Sequence, residues 1–334
     1  MIKNQENFSA GIGNTPLIKL KAASEITGCN IYGKAEFLNP GGSVKDRAAL
    51  ALIKDAQDKK LISKGGTVVE GTAGNTGIGL GLLGNSLGYK TIIVMNDNQT
   101  QEKKDILKNL GAELKLVPAK PFKDENNYVK VASRLADELR PNNNNGVIWA
   151  NQFDNTANAK GHYEGTGKEI WDQTDGKVDA FICSSGTGGT ISGVSNALKE
   201  KNKNIKIYLS DPKGSSLYNY IKHGELKSEG NSITEGIGSS RITKNFENAK
   251  IDDAFSIDDH EALPILYDLI KNEGLSLGTS CGINIAGAIR LGKELGPGKT
   301  IVTILCDKSD KYASKMFNKK FLDEKGLNYP DWIK

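Results

Sequence analysis

Six short β-rich runs, at residues 67–70, 91–95, 113–117, 180–183, 205–209 and 300–305, alternate with longer stretches of helical apolar spacing, and this alternation constrains the fold most. Stretches such as 101–110, 128–139, 188–200, 258–272 and 283–294 carry apolar residues at helical intervals and have glycine or proline nearby to stop them. Strand and helix in turn predict an α/β chain built on parallel sheets. A length of 334 residues suits about two domains, and 37% hydrophobic with 25% charged residues is an ordinary globular composition. The asparagine-rich segment 141–146 breaks helices and reads as a surface loop. Residues 311–334 lose the alternation and end in Tyr329-Pro330-Asp331-Trp332, which is expected to pack on the body or on a partner subunit.

Several function classes drop out. The net charge of +4 comes from 44 basic and 40 acidic residues interspersed along the chain, so no basic arm suggests nucleic acid. Cys29, Cys183, Cys281 and Cys306 show neither C-x-x-C spacing nor the density of a secreted scaffold, which points to a reducing compartment. With three histidines, no metal site is expected. His162-Tyr163-Glu164 copies the H-x-E of zinc deaminases but lacks the P-C-x-x-C partner. Residues 1–10 are polar and no apolar run approaches a membrane-spanning length, so a cytoplasmic protein is the default expectation.

Asn39-Pro40-Gly41-Gly42-Ser43-Val44-Lys45-Asp46-Arg47 seats a lysine in the first turn of a helix directly after a tight turn, with Ser43 as the expected N-cap. A helix N-terminus disfavours the ammonium and favours an amine able to form a Schiff base with a carbonyl. A solvated lysine balanced by Asp46 is the plain alternative.

Three glycine-rich turns open helices further on. Cys183-Ser184-Ser185-Gly186-Thr187-Gly188-Gly189-Thr190 follows a strand, so backbone N–H groups and two threonine hydroxyls converge where the dipole favours an anion, naturally a phosphate. Glu70-Gly71-Thr72-Ala73-Gly74-Asn75-Thr76-Gly77 is a second such junction. Inside it, Gly79, Gly81 and Gly84 match G-x-G-x-x-G literally, but Gly79 lies nine residues beyond Glu70, well inside the expected helix. A dinucleotide fingerprint needs its first glycine at the strand's end, so these glycines read as close helix packing. In the third turn, Leu277 to Asn284, the Ser280 hydroxyl can meet a heteroaromatic nitrogen without protonating it, or simply cap the helix. Cys281 reads as a small buried residue, since no histidine is placed to activate it.

The order of these pieces, continued by Asn151-Gln152-Phe153, Glu235-Gly236-Ile237-Gly238 and Gly278-Thr279-Ser280-Cys281-Gly282, resembles the cysteine synthase (O-acetylserine sulfhydrylase) and cystathionine β-synthase family of pyridoxal-phosphate enzymes. The likeness covers roughly residues 8–310 and looks closest to the bacterial cysteine synthases. It implies the tryptophan-synthase-β-like fold (fold type II) with two parallel-sheet domains. A small mobile domain at 46–151 would bind the substrate carboxylate, a larger cofactor-binding domain would comprise 1–45 plus 152–310, and 311–334 would be a C-terminal extension. By the resemblance, Lys45 carries the cofactor as a Schiff base and Gly186, Thr187, Gly188, Gly189 and Thr190 cradle its phosphate. Asn75 meets the ring oxygen and Ser280 the pyridine nitrogen. Thr72, Ala73, Gly74, Asn75, Thr76 and Gln152 form the substrate-carboxylate site, while Gly236, Ile237 and Gly238 line the pocket near the group being exchanged.

The implied reaction makes L-cysteine from O-acetyl-L-serine and sulfide. Lys45, once displaced, removes the Cα proton, elimination leaves an α-aminoacrylate, and sulfide adds to it. A neutral Ser280 makes the ring a weaker electron sink than a carboxylate partner would, which favours quick β-elimination. The resemblance also implies a homodimer and serine acetyltransferase as a possible partner. Three departures stand out: Ala73 replaces the usual serine of the asparagine loop, Cys281 replaces a common serine or alanine, and residues 306–311 lack the usual serine- and glycine-containing turn, so no site is carried over there. O-phosphoserine as donor, homocysteine as the incoming thiol, another β-eliminating lyase, a partner-binding relative with little catalysis and a dinucleotide oxidoreductase are the alternatives.

Overall fold

The computed structural model describes residues 7–72 and 74–333. Ten strands occur among them: β1 (Leu17–Lys19), β2 (Asn30–Ala35), β3 (Thr67–Gly71), β4 (Lys90–Asn96), β5 (Glu113–Val117), β6 (Val147–Trp149), β7 (Ala180–Cys183), β8 (Lys206–Pro212), β9 (Asp253–Ile257) and β10 (Thr300–Leu305). They form two sheets, and the chain divides into two units, one of Met1–Gly13 with Asn39–Gly161 and one of Asn14–Leu38 with His162–Lys334.

The first unit holds the four-stranded sheet, ordered β5-β4-β3-β6 and parallel throughout. Its central strands are buried on both faces, as the near-continuous apolar run of β4 requires. The edge strand β5 alternates apolar and charged residues and is largely exposed, which blunts edge-to-edge pairing. Helix Tyr128–Leu139 begins where the Asn127 side chain accepts the Val129 N–H at 3.1 Å. Its Val129, Ala132 and Ala136 lie on one face and are buried with Val69, Ile92, Val94 and Val147 of the sheet. Gly71 permits this approach, because a Cβ there would lie 2.7 Å from the Val129 Cα.

The second unit holds the six-stranded sheet, ordered β1-β2-β10-β7-β8-β9 and parallel except for the antiparallel pair β1–β2. Helix Thr279–Leu295 buries most of its first three turns, with Cys281, Ile285, Ala288 and Leu291 in the same core as Ile182, Ile301 and Leu305. Lys34 in β2 is fully buried and is held by Glu169 at 2.6 Å and by the Gln173 side chain at 2.9 Å. The C-terminal residues form short helices at Ala313–Met316 and Lys319–Glu324, and Met316, Leu322 and Leu327 are buried in that core. The tail thus packs on the body of its own unit.

Residues 39–45, with Lys45, and 152–161 belong to the four-stranded unit, while 14–38 belong to the six-stranded one. The reason is local. Helix Lys45–Asp58 is continuous and packs its Ala49, Leu52 and Ile53 beside Leu80 and Leu83 of helix Asn75–Leu87. A break after Lys45 would sever that helix at its first residue. Gly79 and Gly84 serve helix packing: a Cβ on Gly79 would touch Ala49 at 3.1 Å, and one on Gly84 would run into the Thr91 hydroxyl.

Candidate active site

In the four-stranded unit the turn before Lys45 is fixed by its own side chains. Asn39 accepts the Gly13 N–H at 2.9 Å and donates to the Ser43 carbonyl at 3.1 Å, and the Asp46 carboxylate accepts the Gly41 N–H at 2.6 Å. Gly42 adopts a φ of +78° that closes the turn. Ser43 acts one residue earlier than a formal cap, its hydroxyl accepting the Lys45 N–H at 3.1 Å, and the helix starts at Lys45 with Val44 in the cap position. Asn39, Ser43, Asp46 and Arg47 are all buried, whereas Lys45 is partly exposed. Its neighbours therefore hold the backbone while the amine stays accessible.

The second turn of this unit follows β3. The Thr72 hydroxyl accepts the Gly74 N–H at 3.3 Å, and helix Asn75–Leu87 starts at Asn75 with Thr76 buried in its first turn. The Thr76 hydroxyl donates to the Gln152 side-chain oxygen at 2.6 Å. Gln152 follows Asn151, which takes a φ of +50°, uncommon for a residue with a Cβ, and its own carbonyl accepts from the Asn158 side chain at 2.9 Å. Thr72, Gly74, Asn75, Thr76 and Gln152 thus belong to one unit, with Thr76 and Gln152 in direct contact. Ala73 lies outside the described residues. Glu70, unremarked in the sequence beyond opening this turn, is fully buried at the end of β3. Burial pushes its carboxyl up to about 8, against the opposing pull of the Asn151 backbone and of the Gln152 side chain and backbone, which face it.

In the six-stranded unit the turn after β7 is crowded on all sides. A Cβ on Gly186 would collide with the Gly236 carbonyl, and one on Gly188, at φ +87°, would lie 2.6 Å from the Phe246 nitrogen. The Gly238 N–H donates to the Ser185 carbonyl at 2.7 Å, which brings the Gly236–Gly238 segment against the turn. The Thr187 hydroxyl accepts the Gly189 N–H at 3.3 Å, and its carbonyl accepts from the Thr243 hydroxyl at 2.7 Å. Helix Gly189–Lys201 then runs away from the turn, its N-terminus at the turn, where the helix dipole favours negative charge.

Two residues that position this turn escaped the sequence reading. The His162 ring, buried, is 3.2 Å from the Thr190 hydroxyl through Nε2 and 2.8 Å from the Thr166 hydroxyl through Nδ1. It precedes a π-helical turn, Tyr163–Gly167, that Gly167 lets pack against Ala197. The visible signal was the H-x-E triplet. Asn284 accepts the Ser184 N–H at 2.7 Å and donates to the Ile304 carbonyl at 2.7 Å, tying the helix that carries Ser280 to β7 and β10. Asp211, fully buried at the end of β8, accepts the Tyr218 N–H at 2.7 Å, and burial pushes its carboxyl up to about 7. The Ser215 hydroxyl accepts the Ser239 N–H at 3.0 Å and so supports the far side of Gly238. No helix among the described residues is long and apolar enough to cross a membrane.

A lysine at a helix start in one parallel α/β unit and a glycine-rich turn between a strand and a helix in another are features of fold type II pyridoxal-phosphate enzymes. The family model described as "Pyridoxal-phosphate dependent enzyme" matches residues 8–307, and the chain belongs to that family. It is 48% identical over 327 residues to cysteine synthase 1 of Neurospora crassa, and 50% identical over 325 residues to cysteine synthase 1 of Emericella nidulans. Each alignment covers 96% of this chain and 86% of the relative. Among solved structures, a hydrogen sulfide-producing enzyme from Fusobacterium nucleatum superposes with a TM-score of 0.82 at 34% identity, covering 93% of this chain and 98% of that one.

The residues present suit this cofactor chemically. Among the described residues, the buried hydroxyls of Ser185 and Thr279 have no hydrogen-bond partner, one beside the glycine turn and one beside Ser280. The turn offers N–H groups and hydroxyls to a phosphate, a Ser280 hydroxyl suits a pyridine nitrogen, and a Lys45 amine suits an aldehyde.

Proposed function

We propose that this chain is a pyridoxal-phosphate-dependent cysteine synthase, a transferase that replaces the acetoxy group of O-acetyl-L-serine with sulfide to give L-cysteine. The observation that carries the reading is identity of about half to two cysteine synthases along nearly the whole chain. When bound, pyridoxal phosphate supplies an aldehyde that captures amino groups and a conjugated ring that takes up electrons released at Cα.

The chain's own residues divide the remaining work. Lys45 holds the cofactor covalently and exchanges the proton at the substrate Cα, a role suited to an accessible amine on a fixed backbone. Gly186 to Thr190 hold the phosphate, with His162 steadying the Thr190 hydroxyl. Ser280 meets the ring nitrogen through a neutral hydroxyl. Thr72, Ala73, Gly74, Asn75, Thr76 and Gln152 receive the substrate carboxylate with backbone N–H and side-chain donors, and Asn75 also meets the ring oxygen. Gly236, Ile237 and Gly238 line the space for the acetoxy group and the incoming thiol.

The family resemblance supports a homodimer and docking to serine acetyltransferase, and sparse, unpatterned cysteines support a reducing cytoplasmic compartment. Light scattering on the purified protein, alone and with serine acetyltransferase, tests both assemblies. The deciding experiment is an absorbance titration. The yellow protein should change spectrum on adding O-acetyl-L-serine and revert on adding sulfide with release of L-cysteine. Reversion with homocysteine alone would replace the reading by a cystathionine-forming one. A Lys45→Ala variant with full turnover would sink it.

A further inference from the structure

Two positions at which the sequence departs from the family pattern, Cys281 and Cys306, meet inside the six-stranded unit. Cys281 lies fully buried in the first turn of helix Thr279–Leu295, and Cys306, partly exposed, directly follows β10. The Cys306 N–H donates to the Cys281 sulfur at 3.1 Å, and the Cys281 thiol in turn reaches the Asp307 carbonyl at 3.7 Å. Burial first, and then the neighbouring Cys306 thiol, raise the Cys281 thiol well above its ordinary range. The Asn284 amide connects the pair to the phosphate turn: its Nδ2 lies 3.5 Å from the Cys306 sulfur, and its Oδ1 accepts the Ser184 N–H.

The geometry points to Cys281 and Cys306 as an oxidisable thiol pair that closes to an intramolecular disulfide, a modification site one residue from Ser280 and one side chain from the turn that begins at Ser184. The oxidant required is a hydroperoxide. The Cys306 thiolate, on the more accessible sulfur, attacks the peroxide oxygen, becomes a sulfenic acid and releases an alcohol. The Cys281 sulfur then attacks the Cys306 sulfur, and its proton leaves with the sulfenic hydroxyl as water. In sum, two thiols lose two electrons and two protons, and the hydroperoxide is reduced to alcohol and water. The Cys306 N–H and the helix N-terminus both favour negative charge on Cys281 as it reacts, offsetting the burial that keeps it protonated at rest. Bond formation draws the sulfurs together and shifts the first turn of the Ser280 helix against the end of β10.

Peptide mapping tests the pair independently of the cysteine synthase reading, because it needs no turnover. The holoenzyme is treated with tert-butyl hydroperoxide, alkylated and digested without reduction. A peptide joining the two cysteines, lighter by two hydrogens and lost on adding dithiothreitol, is expected in the wild type and absent from Cys281→Ser and Cys306→Ser. Oxidation should change the cofactor fluorescence and lower activity several-fold, both recovering on reduction, while both serine variants keep their activity through the treatment. Oxidation of Cys306 to a sulfinic acid with no linked peptide overturns the pair. A linked peptide with unchanged cofactor fluorescence overturns its connection to Ser280.

Discussion

The hydroxyl of Thr76 donates to the side-chain oxygen of Gln152 at 2.6 Å, joining the first turn of a helix to a segment 76 residues later. Both side chains are buried, so this bond fixes how each presents its remaining polar atoms. With its oxygen accepting from Thr76, the Gln152 side chain is left to donate through its amide nitrogen, and it also hydrogen-bonds the buried Glu70 carboxyl.

Thr76→Val and Gln152→Ala should each raise KM for O-acetyl-L-serine about 10-fold or more with a smaller fall in kcat, because a lost buried donor costs ~1–3 kcal/mol of binding. The double variant should lose less than the sum of the two, with a coupling of ~1 kcal/mol. Steady-state kinetics on the three variants measures this. Additive losses would mean that the two residues act separately.

Gly188→Ala should cost at least ~2 kcal/mol of stability and most of the cofactor affinity. The φ of +87° is strained for any residue with a Cβ, and the added carbon would lie 2.6 Å from the Phe246 backbone nitrogen. Thermal denaturation of the cofactor-free protein reads the first effect and cofactor retention on dialysis reads the second. Gly224→Ala, at φ +76° with open space around the Cβ, controls for strain without collision.

Much of this was visible in sequence where chemistry is local. Apolar runs marked β3, β4, β5, β7, β8 and β10 to within about three residues at either end, and glycine turns marked the helix starts that carry Lys45, Thr76, Thr190 and Ser280. The rest depends on distant partners. β2 has Gly33 and Lys34 in its second half, and Lys34 is tolerated there because Glu169, Gln173 and the Thr15 carbonyl come to meet it. β6 spans three residues beside the asparagine-rich loop, too short to show a period. His162 acquires its meaning from Thr190, 28 residues on, and Asn284 from Ser184, 100 residues back.

His162→Ala should weaken retention of pyridoxal phosphate by ~10-fold while leaving affinity for pyridoxal, which lacks the phosphate, nearly unchanged. The ring meets the hydroxyls of Thr190 and Thr166, so its loss frees the threonine at the end of the glycine turn. Fluorescence titration of the cofactor-free protein with each compound provides the comparison. Equal weakening toward both would assign His162 to general folding.

Two buried carboxyls give stability a distinct pH dependence. Burial raises Glu70 to about 8 and Asp211 to about 7, each well above its value in an unfolded chain. Between the two values for each group the folded protein binds the proton more tightly than the unfolded one, so stability falls as pH rises. Their contribution is fully present below the unfolded carboxyl range, near pH 4, and is lost as pH climbs through about 7 for Asp211 and about 8 for Glu70. Glu70→Gln and Asp211→Asn keep the shape of the neutral acid without the titration. Each should therefore flatten its part of the decline and gain stability relative to the wild type as pH is raised toward 9, by ~1 kcal/mol or more. Urea unfolding of the cofactor-free protein at a series of pH values from 5 to 9 tests this. Parallel curves for wild type and variants would show that both carboxyls are already ionised in the folded protein.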